Sequence, residues 1–468
     1  MKINFKNEND YLKIEYVIGL FFLIRLIGIT NPPLEIAHNW RQVTGLMVAR
    51  NYLEIDPTFW FPRVDETNGL TGIIGMEFPL LNYLHYLVSL VFDYQHWYGR
   101  IINLIISSIG IYYFYRLVRE KLNSKTAYFS TIFLLGSIWF IYSRKMMPDT
   151  FSMSIGFIGL YYCSQYLKNV SVKNFTLFFI FILLAFLTKI SAVICIVGIP
   201  FLTHNIHSKK NKIIAYTATV IALIVCYLWY FSWNYHLADV YGSWYNSGSD
   251  IISGAKALTG DVGETFKRFY FSSFQSYFAF ILLIYSIVIF VIRKQYKILF
   301  FLMVSMILFS LYMAKSGAIF YIHSYYIIPI VPVFAISIGH YVASIKNKYI
   351  ALSIISLFLV ESLANQQHDL FIKKSEEYKL TLEQLVSKHI GNDELVAVNG
   401  NGNPQELYLS HRKGFVLQNH ELTNSAKMNS IKEKGCRYLI INRHTYHNPL
   451  NYQEIYNNKD YRIYKLAD

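Results

Sequence analysis

The sequence predicts an all-α polytopic membrane protein of about eleven transmembrane helices, with interfacial helices in its first outer loop and a small C-terminal α/β extracytoplasmic domain. Three observations lead there. Of 468 residues, 54% are hydrophobic and only 15% charged, against roughly 25% charged in an ordinary soluble chain. Apolar runs of about 20 residues, each long enough to cross a hydrocarbon layer, recur along most of the chain. The last hundred or so residues turn polar and alternate short strand-like and helix-like segments.

Runs of this kind in lipid must be helical, because hydrocarbon satisfies no exposed backbone group. The expected spans lie near 12–29, 97–118, 126–142, 150–167, 174–188, 190–205, 213–235, 272–292, 298–314, 320–344 and 349–366. The fifth and sixth could form one re-entrant pair. The first follows a tail carrying Lys2 and Lys6 and lacks a small-residue cleavage site, which predicts an uncleaved anchor rather than a signal peptide.

A net charge of +14 suggests nucleic acid in a soluble protein, but here the basic residues sit in short loops on one side. Those loops hold Arg116, Arg119, Lys121 and Lys125; Lys168 and Lys173; Lys209, Lys210 and Lys212; Arg293, Lys294 and Lys297; and Lys346 and Lys348. The opposite loop, Thr30 to His96, has only Arg41, Arg50 and Arg63. The asymmetry predicts a cytoplasmic N-terminus, no nucleic-acid partner, and residues 367–468 on the outer face.

The chain thus divides into a transmembrane domain, 1–366, and an extracytoplasmic domain, 367–468. Within the first, loop 30–96 repeats apolar residues at helical spacing (Val43, Leu46, Met47, Leu53) and carries the apolar stretch Phe78–Phe92, too short to span. In the tail, strands are expected at Glu394–Asn399, Phe415–Gln418, Arg437–Asn442 and Tyr461–Leu466, with helices at 375–389 and 424–434. Gly400-Asn401-Gly402 has part of a phosphate-loop pattern, but without a third glycine it reads as a strand-to-helix turn. The four cysteines, Cys163, Cys195, Cys226 and Cys436, have no metal or disulfide spacing and read as buried small residues.

Ionisable groups near a membrane face a cavity or a partner. Under this topology they gather at the outer ends of the spans. Glu35, His38, Arg41 and Gln42 follow span one; Asp65 and Glu77 lie later in the same loop; Arg144, Lys145 and Asp149 follow span three. Lys189 separates spans five and six, and His323 and Tyr325 open span ten. Each has a blander reading: Glu35 could pair with Arg41, Asp149 could cap its helix, Arg144 and Lys145 could anchor headgroups, and aromatic neighbours could bury His323.

The chemistry suited to this set is attack by an acceptor hydroxyl or amine on a sugar carried by a membrane phospholipid. Glu35, His38, Glu77 and Asp149 are the candidate catalytic groups, since a carboxylate or imidazole can deprotonate the nucleophile. Arg41, Gln42, Asp65, Arg144, Lys145, Lys189, His323 and Tyr325 are candidate substrate contacts, the cations for the phosphate. Carboxylates could also hold a divalent metal ion bridging phosphate oxygens.

Several blocks resemble the polyprenyl-phosphate-sugar-dependent glycosyltransferases of C-type membrane fold, nearest the bacterial relatives of protein O-mannosyltransferases and of the lipid A aminoarabinose transferase. They are His38-Asn39-Trp40-Arg41-Gln42 with Ala49-Arg50-Asn51, Glu77-Phe78-Pro79-Leu80, Met147-Pro148-Asp149 and the Tyr-rich stretch His323 to Pro329. The resemblance covers residues 10–345. It implies an inverting enzyme of the bacterial cytoplasmic membrane with its active site on the outer face, a polyprenyl-phosphate sugar as donor, and a lipid, glycan or protein acceptor. It also implies Glu35 as base or metal ligand, Asp149 as second acid and possible metal ligand, and Lys189 and His323 as donor-phosphate contacts. The family's usual Asp-Glu pair is missing; Arg41-Gln42 stand near its place, which leaves the base open between Glu35 and His38. A polysaccharide polymerase or ligase is an alternative that calls for a large late loop. A lipid-linked-glycan flippase is another, calling for midplane charges and paired repeats.

Overall fold

The computed structural model describes residues 12–204, 206–243 and 245–466; the tail with Lys2 and Lys6 lies outside them. The first eight α-helices are α1 (Ile14–Arg25), α2 (Asn39–Glu54), α3 (Leu80–Phe92), α4 (Tyr98–Lys121), α5 (Ser124–Gly136), α6 (Trp139–Tyr142), α7 (Pro148–Lys168) and α8 (Val172–Thr188). Each of the eleven expected spans overlaps a helix, the later ones including Lys209–Leu228, Tyr277–Ile292, Tyr296–Ser316, Val331–Ala343 and Lys348–Gln366.

Fewer meet the demands of a crossing. Among the described residues four helices are long and apolar enough: Tyr98–Lys121, Lys209–Tyr241, Tyr296–Ser316 and Lys348–Leu370. A fifth joins them if Ile251–Ser272 and Tyr277–Ile292, bent by 88°, count as one span. Other expected spans are cut short, as at Lys189, where extended backbone (φ −154°) ends α8 and a 3₁₀ stretch, Ile190–Val197, follows.

Two compact units emerge. The first comprises the residues up to Ile29, Arg100–Tyr230 and Asn246–Leu370; the second comprises Thr30–Gly99, Phe231–Tyr245 and Phe371–Asp468.

In the first unit, close backbone approach at small residues sets the packing. Apolar lipid gives helices little hydrophobic reason to associate, so close van der Waals contact carries more of the load. A Cβ on Gly110 of α4 would fall 2.3 Å from Ser154 Cβ of α7, and one on Gly159 of α7 would fall 3.0 Å from the Ile182 nitrogen of α8. A Cβ on Gly339, in Val331–Ala343, would fall 2.4 Å from the Ser130 nitrogen of α5. Cys163, Cys195 and Cys226 are buried free thiols here, as Cys436 is in the other unit.

In the second unit, α2 and α3 match the amphipathic stretches expected in the first loop. Their burial differs from the expectation: α2 is buried from Gly45 through Tyr52 rather than along one stripe. Its polar residues can be enclosed because they have partners. Arg50 Nη2 donates to Asp65 Oδ2 at 2.5 Å, and Asn51 Nδ2 to Asp65 Oδ1 at 3.0 Å. Arg50 Nη1 donates to the Tyr408 carbonyl at 3.2 Å, with the guanidinium 4.4 Å from that tyrosine's ring centre.

The tail folds as a five-stranded sheet: β1 (Leu395–Val398), β2 (Gly414–Val416), β3 (Cys436–Asn442), β4 (Gln453–Asn457) and β5 (Tyr461–Lys465), in the order β2-β1-β3-β5-β4. β1 runs parallel to β2 and β3, whereas β5 is antiparallel to β3 and β4. Ala397, Phe415, Leu439, Ile441 and Tyr464 form its core with Met428 and Ile431 of helix Ser425–Glu433. Four strands fall where expected and β4 was not foreseen. The expected helix at 375–389 splits into a 3₁₀ segment, Lys374–Thr381, and an α-helix, Leu382–His389. Gly400-Asn401-Gly402 is the expected turn, with Asn401 and Gly402 at positive φ before helix Gln405–Leu409.

A charged clasp joins the same unit. His411 Nε2 lies 2.9 Å from Glu54 Oε1, and Nδ1 lies 2.8 Å from Glu383 Oε1. The Glu54 hydrogen bond raises the His411 pKa above its ordinary value; partial burial and Arg50 oppose this, and Glu383 adds to it. With the folded value raised, the clasp's contribution is complete below pH 6.5 and is lost as pH climbs through the raised value.

Two outcomes follow. Gly339→Leu should destabilise the detergent-solubilised protein by about 1–3 kcal/mol in thermal unfolding; Gly19→Leu, where a Cβ meets nothing within 4 Å, should leave the midpoint unchanged. Proteolysis between α2 and Leu382–His389 should accelerate as pH rises from 6.5, and His411→Gln should flatten that dependence.

Candidate functional site

In the first unit, two helix ends present opposite charges. Met147 is extended because the following proline disfavours helical backbone, so α7 starts at Pro148 and carries Asp149 in its first turn, where the helix dipole favours an acid. Lys189 caps the C-terminus of α8, where the dipole favours a cation. Lys189 Nζ lies 3.8 Å from Asp149 Oδ1, with the two side chains 9% and 4% exposed.

An aromatic wall adjoins this pair. Lys189 Nζ is 5.9 Å from the Tyr325 ring centre and 6.0 Å from that of Tyr326, within cation–π range. His323 stacks on Tyr325, ring centres 5.3 Å apart. The hydroxyls of Tyr142 and Ser324 are 2.8 Å apart. Lys145, fully buried, pairs with Asp369 at 3.5 Å and lies 6.0 Å from the Tyr142 ring centre. Asp149, Lys189, His323, Tyr325 and Lys145 are therefore brought into one polar and aromatic cluster.

Arg144 is placed differently. Its guanidinium donates to the carbonyls of Arg25 (2.9 Å), Ile27 (2.6 Å) and Asp369 (3.0 Å), tying main-chain ends together. Asn103, which sequence reasoning passed over, does similar work. Its Nδ2 donates to the carbonyls of Tyr142, Lys145 and Met147, holding the turn that carries Lys145 and leads to Asp149. Arg25, Tyr142 and Asp369 were also missed, and Tyr326, although inside the Tyr-rich stretch, was not singled out. A polar residue within an apolar run was the available signal for Asn103, and an acid just past the last run for Asp369.

In the second unit, Glu35 is fully buried and bridges to Ile372, while Lys373 N donates to the Leu34 carbonyl at 3.1 Å. Gln42, fully buried in the first turns of α2, donates from Nε2 to Glu35 Oε2 at 2.9 Å. His38, the N-cap of α2, sits in left-handed backbone (φ 57°), uncommon for a residue with a side chain. Arg41 forms an ion pair with Glu77, the side chains 24% and 18% exposed. Asp65 is buried between Arg50 and Asn51, and its carbonyl accepts from Gly414 N at 3.0 Å. Burial alone would lower the Arg50 pKa; Asp65, with Tyr408, Tyr94 and Glu54, holds it above its ordinary value.

Among the described residues, no three of His, Cys, Asp and Glu are grouped so as to hold a metal ion. Among the described residues, Glu35 and Asp149 therefore do not belong to an all-protein cage.

Residues 77–231 match the family model described as dolichyl-phosphate-mannose-protein mannosyltransferase. No curated protein matches the chain by sequence. Among solved structures, ArnT from Cupriavidus metallidurans in the apo state matches with a TM-score of 0.60 at 12% identity, over 97% of this chain and 99% of that one. The same protein bound to undecaprenyl phosphate matches with a TM-score of 0.58 at 10% identity, again over 97% and 99%. The archaeal oligosaccharyltransferase AglB from Archaeoglobus fulgidus, in complex with an inhibitory peptide and a dolichol-phosphate, matches with a TM-score of 0.54 at 11% identity, over 93% and 70%. The chain therefore shares its fold with ArnT and AglB, in line with the C-type membrane fold that the sequence resemblance implied.

Proposed function

We propose that the chain is a membrane glycosyltransferase that moves a sugar, with inversion, from a polyprenyl-phosphate donor to an extracytoplasmic lipid, glycan or protein. The observation that carries this reading is the Lys189–Asp149 pair against the Tyr325 and Tyr326 rings, with His323 and Lys145 alongside. The fold supports it, since related folds have been captured with undecaprenyl phosphate and with a dolichol-phosphate.

In this reaction the bond between the anomeric carbon and the phosphate oxygen breaks, and the polyprenyl phosphate leaves with additional negative charge. Lys189 and Lys145 stabilise that charge, in a setting where little water competes. Tyr325 donates a hydrogen bond to the phosphate and His323 contacts it. Asp149 pairs with Lys189 and aims it.

The acceptor forms the new bond to the sugar and gives up a proton. Glu35, oriented by Gln42, takes it, or His38 does so from the adjoining turn. Arg41, held by Glu77, contacts substrate. Arg144 and Asp65 act as positioning residues through the main-chain and ion-pair contacts described above. Where the reaction uses a divalent ion, Glu35 or Asp149 would be the carboxylate that holds it, and the ion would supply charge to neutralise phosphate. Loop charge supports an active face and C-terminal domain outside the bacterial cytoplasmic membrane.

Purified protein given a panel of radiolabelled polyprenyl-phosphate sugars should transfer label from at least one donor. Glu35→Gln combined with His38→Ala should lower kcat/KM by about 10²–10⁴-fold. Lys189→Gln should lower it comparably by weakening phosphate stabilisation. Turnover with no donor, or full activity in the Glu35/His38 double variant, would contradict the mechanism.

A further inference from the structure

The basic end of α4 carries a second feature, separate from the residues assigned above. Arg116, Arg119 and Glu120 fall on one face of this helix by their three- and four-residue spacing. Tyr161, Gln165 and Lys168 do the same on α7. Together these six residues line a cavity of about 290 Å³. Helix α4 is one of the helices long and apolar enough to span a membrane, and a crossing by α4 would bring its last turn to the depth of lipid headgroups.

The charges in this cavity are unevenly matched. Its one carboxylate, Glu120, is occupied: it accepts from Ser164 Oγ and from Gln165 Nε2 (2.9 Å), and pairs with Lys168 at 3.0 Å and Lys121 at 3.4 Å. The arginines pack on rings instead. The Arg116 guanidinium lies 4.7 Å from the Tyr161 ring centre, and that of Arg119 lies 5.5 Å from Tyr115. Among the described residues neither arginine has a carboxylate partner. Ring stacking fixes a guanidinium plane and leaves its edge N–H groups available.

We propose that this cavity binds the phosphate of an anionic phospholipid headgroup. Two guanidinium forks match the oxygens of a phosphodiester, with the Lys168 ammonium, shared with Glu120, beside them, and basic pockets between helices at the membrane surface suit such headgroups. The surrounding tyrosines, Tyr112, Tyr115 and Tyr161, fit the interfacial depth at which amphipathic rings collect. The site would tie the ends of α4 and α7 to the bilayer surface, whatever reaction the protein catalyses.

The test is native mass spectrometry of the full-length protein released from mixed phosphatidylglycerol and phosphatidylcholine micelles, with thermal unfolding in each lipid as a second readout. Wild type should retain phosphatidylglycerol in preference and unfold at a higher temperature in it. Arg119→Gln and Lys168→Gln alter exposed side chains, so the fold should tolerate them; each should lower the preference about fivefold, and the pair should abolish it. Lys209→Gln, an exposed cation in another loop, should keep it. Equal retention of the two lipids by wild type, or an undiminished preference in the double variant, would overturn the proposal. So would stabilisation by excess inorganic phosphate that phosphatidylglycerol fails to reproduce, since that would mark a site for soluble phosphate.

Discussion

A buried charge at the end of a helix must find its opposite close by, and the ends of α7 and α8 meet that demand through Asp149 and Lys189. Removing two ions from water is expensive, and losing either partner of such a buried pair typically costs about 3–5 kcal/mol. A contact of 3.8 Å is looser than an ideal salt bridge, so the pair is poised as well as paired. Both charges also answer the dipoles of their own helices, acid at an N-terminus and cation at a C-terminus. Hence each side chain of this buried pair has both its partner and its own helix dipole to answer it.

The surroundings preserve that arrangement. Asn103 fastens the turn before α7 with three main-chain hydrogen bonds, and Arg144 fastens the chain after α1 and at Asp369. Glycines in α4 and α7 allow helix axes to approach more closely than side chains would permit. The second unit follows a parallel logic around one ion pair. Arg50 and Asp65 neutralise each other, and the same arginine reaches Tyr408 in the tail, so that loop and tail share an interior.

What could be read in the sequence was what depends on local pattern. Apolar runs marked every helix that overlaps an expected span, because apolar composition over twenty residues is visible without knowing the fold. Pro148 and Lys189 marked helix ends, because a proline and a lone cation in an apolar run have local meaning. Long-range pairing was hidden. Nothing near Lys145 announces Asp369, and nothing near Arg50 announces Tyr408, 358 residues away. Strand β4 escaped notice because it is a polar edge strand, with little buried pattern to reveal it. Run length alone also does not separate a full crossing from a broken helix, as the 3₁₀ stretch after Lys189 illustrates.

The most direct measurement is photocrosslinking of a polyprenyl phosphate carrying a photoreactive group beside its phosphate, with the labelled peptides mapped by mass spectrometry. The proposed reading predicts label on segments containing Lys145 to Asp149, Lys189 or His323 to Tyr326, competed away by unlabelled polyprenyl phosphate and sharply reduced in Lys189→Gln. Label confined to other parts of the chain, or labelling of these segments that neither competitor nor substitution alters, would show that this lysine–tyrosine cluster does not receive the donor phosphate.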